Sequence, residues 1–156
     1  MATTTEHPDL LAQLRSTLKE LPALLERLPS DRLYEAPGPG EWSAAGVLAH
    51  LADAEQVYGV RLKMIVAADR PTLVAYDQED WERLYGPLET VETALERWKA
   101  LRQSNLRLLE SLDEAGWQRI GMHAERGEES VERIGQILAE HDRGHMQQME
   151  TATRPT

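Results

Sequence analysis

The sequence has no cysteine. That excludes disulfides, thiolate metal sites, iron–sulfur clusters and cysteine nucleophiles, and it leaves nitrogen and oxygen as the donors for any metal ion. Long hydrophobic runs are missing too: the apolar stretches are a few residues each, far short of the ~20 needed to span a bilayer. The opening segment MATTTEHPDL has neither a basic start nor an apolar stretch, so it does not read as a secretory signal, and a cytoplasmic location is the expectation. Positive charge is scarce. Against 27 Asp and Glu stand 17 Lys and Arg, a formal net charge of −10. A field of that sign repels phosphate backbones, which argues against a nucleic-acid partner, and it otherwise serves solubility. Internal repeats, low-complexity tracts and convincing period-two alternation are absent as well, so little sheet is expected. A chain of 156 residues is long enough to bury a core, and residues 1–156 are read as one domain.

What is present is helical periodicity. Leu10, Leu11, Leu14, Leu18, Leu21, Leu25 and Leu28 recur at steps of three and four, one face of an amphipathic helix in which Pro22 introduces a kink. After the turn-rich segment Ala36-Pro37-Gly38-Pro39-Gly40, Ser43 is placed to cap a second helix that runs to about Ala68, with Val47, Leu51, Ala54, Tyr58, Leu62 and Ile65 as its stripe. A third helix is expected from Leu88 to Leu112 on Val91, Leu95, Trp98, Leu101, Leu108 and Leu112. Residues 113–129 read as loop. Ser130 caps a fourth helix, ending near Ala152, whose inward residues are Ile134, Ile137, Leu138 and Met149. The connection from Asp69 to Pro87 is long enough to hold a short extra helix around Tyr76-Asp77-Gln78-Glu79-Asp80-Trp81 over one end of the bundle.

The chemistry lies in the histidines. His141 and His145 are four residues apart, about 40° on a helix, and both fall on the apolar stripe of the fourth helix. Two imidazoles inside an apolar core lose hydration, and neutral rings there cannot satisfy all their nitrogens without partners. A shared metal ion meets that cost; hydrogen bonds to neighbouring helices are the alternative. His50, on the second helix roughly 80° from the centre of its stripe, can add a third nitrogen and leave open coordination positions. The run His-Asp-Arg-Gly-His also matches a zincin pattern with Asp142 in place of glutamate, but the acid is short, lies about 100° from His141, and the chain has no length for a substrate-binding subdomain. His7 is assigned to a flexible end, and His123, in a Gly-flanked loop, to a structural hydrogen bond.

Three segments together resemble the DinB/YfiT superfamily, in particular its DinB-like branch. They are Gly40-Glu41-Trp42-Ser43 with Val47 to Glu55 around His50, Gly121-Met122-His123 through Gly127 to Ser130, and Glu140-His141-Asp142 with His145 and Gln148. The likeness covers nearly the whole chain. It implies an all-α, up-down four-helix bundle with a long crossover, a metal held by His50, His141 and His145, and frequent homodimers. The ion it implies is zinc, nickel, iron or manganese. Gly144, inside the ligand turn, costs about 1 kcal/mol of helix stability relative to Ala and is expected to permit close helix approach.

The resemblance points first to thiol-dependent transferases, which use the metal to activate a low-molecular-weight thiol such as bacillithiol, mycothiol or glutathione, with metal-dependent hydrolases as the alternative. Either would act on a small-molecule substrate. Asp53, Glu55 and Asp80 are the acid or base candidates, and Arg61 can orient an anion from the His50 side of the second helix. A bundle in which the ion only joins two helices is the non-catalytic alternative.

Overall fold

A computed structural model describes residues 6–155; the first five residues of the opening segment and Thr156 lie outside it. The chain runs α1 (Glu6–Arg27), α2 (Ala44–Ala67), α3 (Gln78–Tyr85), α4 (Val91–Glu110), α5 (Glu114–Trp117), β1 (Ile120–His123), β2 (Gly127–Ser130) and α6 (Val131–Ala152). The starts are set by side-chain caps, as helix ends require. Ser43 accepts from the Gly46 N–H, Ser130 from Arg133 N–H and Asp77 from Asp80 N–H. Thr90 and Thr93 form a reciprocal capping box that begins α4 at Val91 instead of Leu88, whose side chain is exposed. α1 continues through Pro22 to Arg27.

α1, α2, α4 and α6 form the four-helix bundle. Both α1 and α2 pack against α4 and α6, which puts α1 diagonal to α2 and α4 diagonal to α6. Their directions follow from their contacts. Asp53 meets Arg97 and Gly59 lies beside Asn105, so α2 and α4 run parallel. His7 meets Glu132 and Arg27 meets Glu150, so α1 and α6 run parallel as well. Arg15 pairs with Glu110, near the end of α4, while Leu21 and Leu24 share a core with Val91, so α1 opposes α4. The order is up, down, down, up. Two consecutive parallel helices force residues 68–90 to travel back along the bundle, which is the long crossover. α3 lies within it and packs on α2.

The segment read as loop, 113–129, is ordered differently. It holds the single turn α5 and a hairpin in which Ile120 pairs with Ser130 and His123 with Gly127. Gly127, at φ 79°, takes the left-handed backbone conformation that ends the turn. Gly121 leaves no room for a side chain: a Cβ there would stand 2.5 Å from Leu73 Cδ2. Leu73 N–H in turn donates to Met122 O, which ties the crossover to the hairpin. His7 is not at a flexible end; it lies in α1 with its ring stacked 4.3 Å from that of Trp117 and its nitrogens against Glu132 and Glu114.

The core has two apolar halves. One gathers Leu10, Leu14, Tyr58, Leu62, Leu109, Ile134 and Leu138, the other Leu21, Leu24, Val47, Leu51, Trp98 and Met149. Between them lies a buried polar layer centred on Arg102, which is 1% exposed. Its Nε and Nη2 donate to the Glu55 carboxylate at 2.8 Å each, Nη1 and Nη2 to Asp142 at 2.8 and 3.0 Å, and Nη1 also to Leu14 O at 3.1 Å. All five guanidinium donors are used, by acceptors on the other three long helices. Asn105 adds donors to Glu55 O and Oε1, and Gly59 makes space for it, since a Cβ there would lie 2.6 Å from Asn105 Oδ1. Burial opposes the Arg102 charge, but Glu55 and Asp142 more than offset it and hold the pKa above its ordinary value. Among the described residues no helix is long and apolar enough to cross a membrane.

Replacing Arg102 by Ala leaves two buried carboxylates without a cation, and a loss of about 3–5 kcal/mol is expected in urea unfolding. Arg102→Lys keeps the charge but not the two-sided fork and should fall between. A loss of about 0.5 kcal/mol or less for Arg102→Ala, the range of surface changes, would contradict this role for the polar layer.

Candidate metal centre

His50, His141 and His145 converge. His50 Nε2 lies 3.0 Å from His141 Nε2, and His141 Nε2 lies 3.1 Å from His145 Nε2. One ligand atom from each falls within 4.8 Å of the others. His50 is only 2% exposed, because α2 is buried on most of its circumference and not along a single stripe. The His141 and His145 rings are half-buried and meet edge to face.

The tautomers explain why the cluster suits a cation. His145 Nδ1 lies 2.7 Å from Gln148 Oε1, an acceptor, so this nitrogen carries the proton and His145 Nε2 presents a lone pair. His141 Nε2 is near two nitrogens and has either one proton or one lone pair. No neutral arrangement gives both contacts a full hydrogen bond. Three lone pairs around one ion satisfy all of them, and the observed spacing is close to the roughly 3.3 Å between tetrahedral ligands with bonds of about 2.0–2.1 Å.

The rings are held neutral, as metal ligands must be. Burial, then the neighbouring His145, lowers the His50 pKa to about 4. Burial, then His145, His50 and Arg102, lowers that of His141 to about 3. Burial lowers that of His145, partly countered by Gln148.

The ligand helices are locked by the polar layer. Asp142 follows His141 directly, Glu55 follows His50 by five residues, and Arg102 grips both carboxylates. Asp142 is therefore turned into the bundle and is not the base of a zincin-like site. Gly144 is exposed with open space where a Cβ would stand, so close helix approach is not its role. Trp42 sets its ring 4.9 Å from that of His50. A cleft of about 350 Å³ opens beside His145, bounded by Trp42, Gln148, Gln78 and Glu79.

The remaining sequence candidates are not gathered there. Asp53, one turn beyond His50, is paired at 2.9 Å with Arg97, which also holds Glu89. Burial raises the Asp53 pKa and Arg97 partly offsets it. Glu55 is 1% exposed and committed to Arg102. Asp80 is exposed and pairs with Arg83. Arg61 lies roughly 16 Å along α2 from His50, with Nε donating to Val74 O and its guanidinium over the Tyr58 ring. His123 Nδ1 accepts from the Glu125 and Arg126 N–H groups, a structural role in the hairpin turn. Arg102 and Asn105 escaped the sequence reading; their signal is the spacing 91, 94, 98, 102, 105, 109, which is the buried stripe of α4.

A pH dependence follows. Unfolded histidines titrate near 6.5, whereas folded His50 and His141 stay neutral down to about 4 and about 3. Below about 6.5 the unfolded chain binds more protons, so this contribution is complete above that pH and lost as pH falls. Metal-free protein should lose stability relative to a His141→Gln variant between pH 7.5 and 5 in urea unfolding. A constant difference across that range would contradict the assigned burial.

Residues 13–149 match the family model of the DinB superfamily. A protein of Oceanobacillus iheyensis named "putative metal-dependent hydrolase" is 29% identical over 133 residues, covering 83% of this chain and 77% of its own length. One of the same description from Bacillus mycoides is 24% identical over 135 residues, covering 86% and 78%. Among solved structures, YfiT from Bacillus subtilis, described as a probable metal-dependent hydrolase with an unusual four-helix bundle topology, superposes with a TM-score of 0.85 at 18% identity, over 97% of this chain and 89% of that one. The four-helix bundle protein TT2238 gives 0.67 at 19% identity, over 93% and 98%. These two likenesses concern the fold, whereas the family match runs through all three metal-ligand candidates: the chain belongs to the DinB superfamily.

Proposed function

We propose that the chain is a divalent-metal-dependent hydrolase acting on a small-molecule substrate. The observation that carries this reading is the convergence of three Nε2 atoms, one with its tautomer fixed by Gln148, beside a cleft. An ion held by three neutral ligands keeps its full charge and open positions, and so supplies a nucleophile at neutral pH. The donor set suits zinc and also nickel, iron or manganese. The chain's own residues do the rest. His50 and His141 stay unprotonated through burial, Trp42 forms an apolar wall, and the cleft volume falls within the range of small-molecule sites. The names of the relatives favour hydrolysis over other uses of the nucleophile.

Thiol transfer is the second reading. It is favoured by the same neutral triad, since a site that adds no negative charge of its own attracts a thiolate. Both readings place catalysis at the histidines, and they part on whether a thiol cosubstrate is required.

Protein purified without an affinity tag should contain about one equivalent of metal, and His141→Ala and His145→Ala should lose it. Metal-loaded protein should then cleave members of an ester and amide panel without added thiol. Turnover only with bacillithiol, mycothiol or glutathione would select the transfer reading. Absence of metal even after reconstitution would overturn both.

A further inference from the structure

α3 crosses α2 at a point where neither helix has a side chain in the way. One oxygen of Glu82, Oε1, lies 2.7 Å from where a Cβ on Gly46 would stand and 2.6 Å from where one on Gly86 would stand. Two glycines, one in α2 and one at the end of α3, thus form the notch that admits this carboxylate. Gly46 precedes His50 by one turn. Helical side chains lean toward the helix N-terminus, so the His50 ring covers the surface of that same turn. On α3, Gln78 and Glu79 border the cleft that contains His145, and Glu82 follows them at i+4 and i+3, on the same face. Glu82 is not one of the three clustered donors, so it is not assigned as a fourth ligand.

Among nearby acids, Asp53 is engaged with Arg97, Glu55 with Arg102 and Asp80 with Arg83, while Glu41 and Glu79 on the rim of the cleft are exposed. The half-buried Glu82 carboxylate has no cation or hydrogen-bond donor among the described residues. The titratable groups that act on it are Glu79 and Asp53, and after burial both raise its pKa. That makes it a better base than a solvated glutamate.

We propose that Glu82 is the proton acceptor at the open side of the three-histidine site, taking the proton of an incoming water or thiol and returning it to the leaving group. The O–H or S–H bond breaks, its electron pair stays on the nucleophile, and the proton passes to a Glu82 oxygen. When the bond to the leaving group breaks, that proton moves to the departing atom and Glu82 is again a carboxylate. The assignment rests on the metal-enzyme reading above.

The test uses the full chain loaded with cobalt(II), whose visible spectrum reports ligands entering the site. Azide is titrated into wild type, Glu82→Gln and, as a control, Glu96→Gln, an exposed residue of α4. Removing a negative charge that faces the site should tighten azide binding by about threefold, the size of a single charge–charge interaction at the dielectric of water. In the same variant the pH at which the azide-free spectrum changes should move down, because the acceptor that favours the protonated solvent ligand is gone. Glu96→Gln should match wild type in both. Equal azide affinity, or an unmoved spectral transition, in Glu82→Gln would overturn the assignment while leaving the metal site standing. Failure of wild type to take up cobalt would instead overturn the three-histidine reading, and the role of Glu82 with it.

Discussion

The Arg102 guanidinium is the point on which the bundle depends. Each of its five donors meets an acceptor, and those acceptors come from α1, α2 and α6, so one side chain of α4 fixes all four long helices at a single height. Burying a charge without such partners is costly, and an apolar replacement often packs as well, so general stability is a weak reason to keep this layer. Its consequence is positional. Glu55 and Asp142 are held on the two helices that carry the histidines, and with them the rotation and register of α2 against α6.

That constraint turns a helix interface into a site. Three nitrogens within 4.8 Å of one another need backbones placed to a fraction of an ångström, which two apolar faces sliding on each other would not guarantee. With the polar layer close by, His50 and His141 are desolvated enough to stay neutral, while His145 reaches the cleft. The crossover supplies the opposite wall. Because α2 and α4 are parallel, the chain must return along the bundle, and α3 is part of that return path.

The sequence makes the histidine site and the four long helices legible for one reason: both are written in steps of three and four. His141 and His145 sit on an apolar stripe, where a polar residue has to be accounted for, and Ser43 and Ser130 mark the helix starts. Arg102 was not legible because Leu101 and Leu108 suggest a stripe one residue removed from the buried one, and an arginine beside it looks like surface. α5 and the hairpin strands are four residues each, too short for any period to show. The commitment of Glu55 to Arg102 depends on a contact 47 residues away, which spacing along one helix cannot reveal. The same holds for Glu82, whose notch is made by glycines on two different helices.

The most direct measurement on the central claim is X-ray absorption at the metal edge of the loaded chain. Three imidazole nitrogens at about 2.0–2.1 Å, with the remaining positions filled by light atoms from solvent, are expected from the three-histidine geometry. In the His50→Ala variant, loaded with excess metal because its affinity is lowered, the imidazole count should fall by one. A spectrum with fewer than three imidazoles in the wild type, or one that the His50 substitution leaves unchanged, would contradict a site shared by α2 and α6.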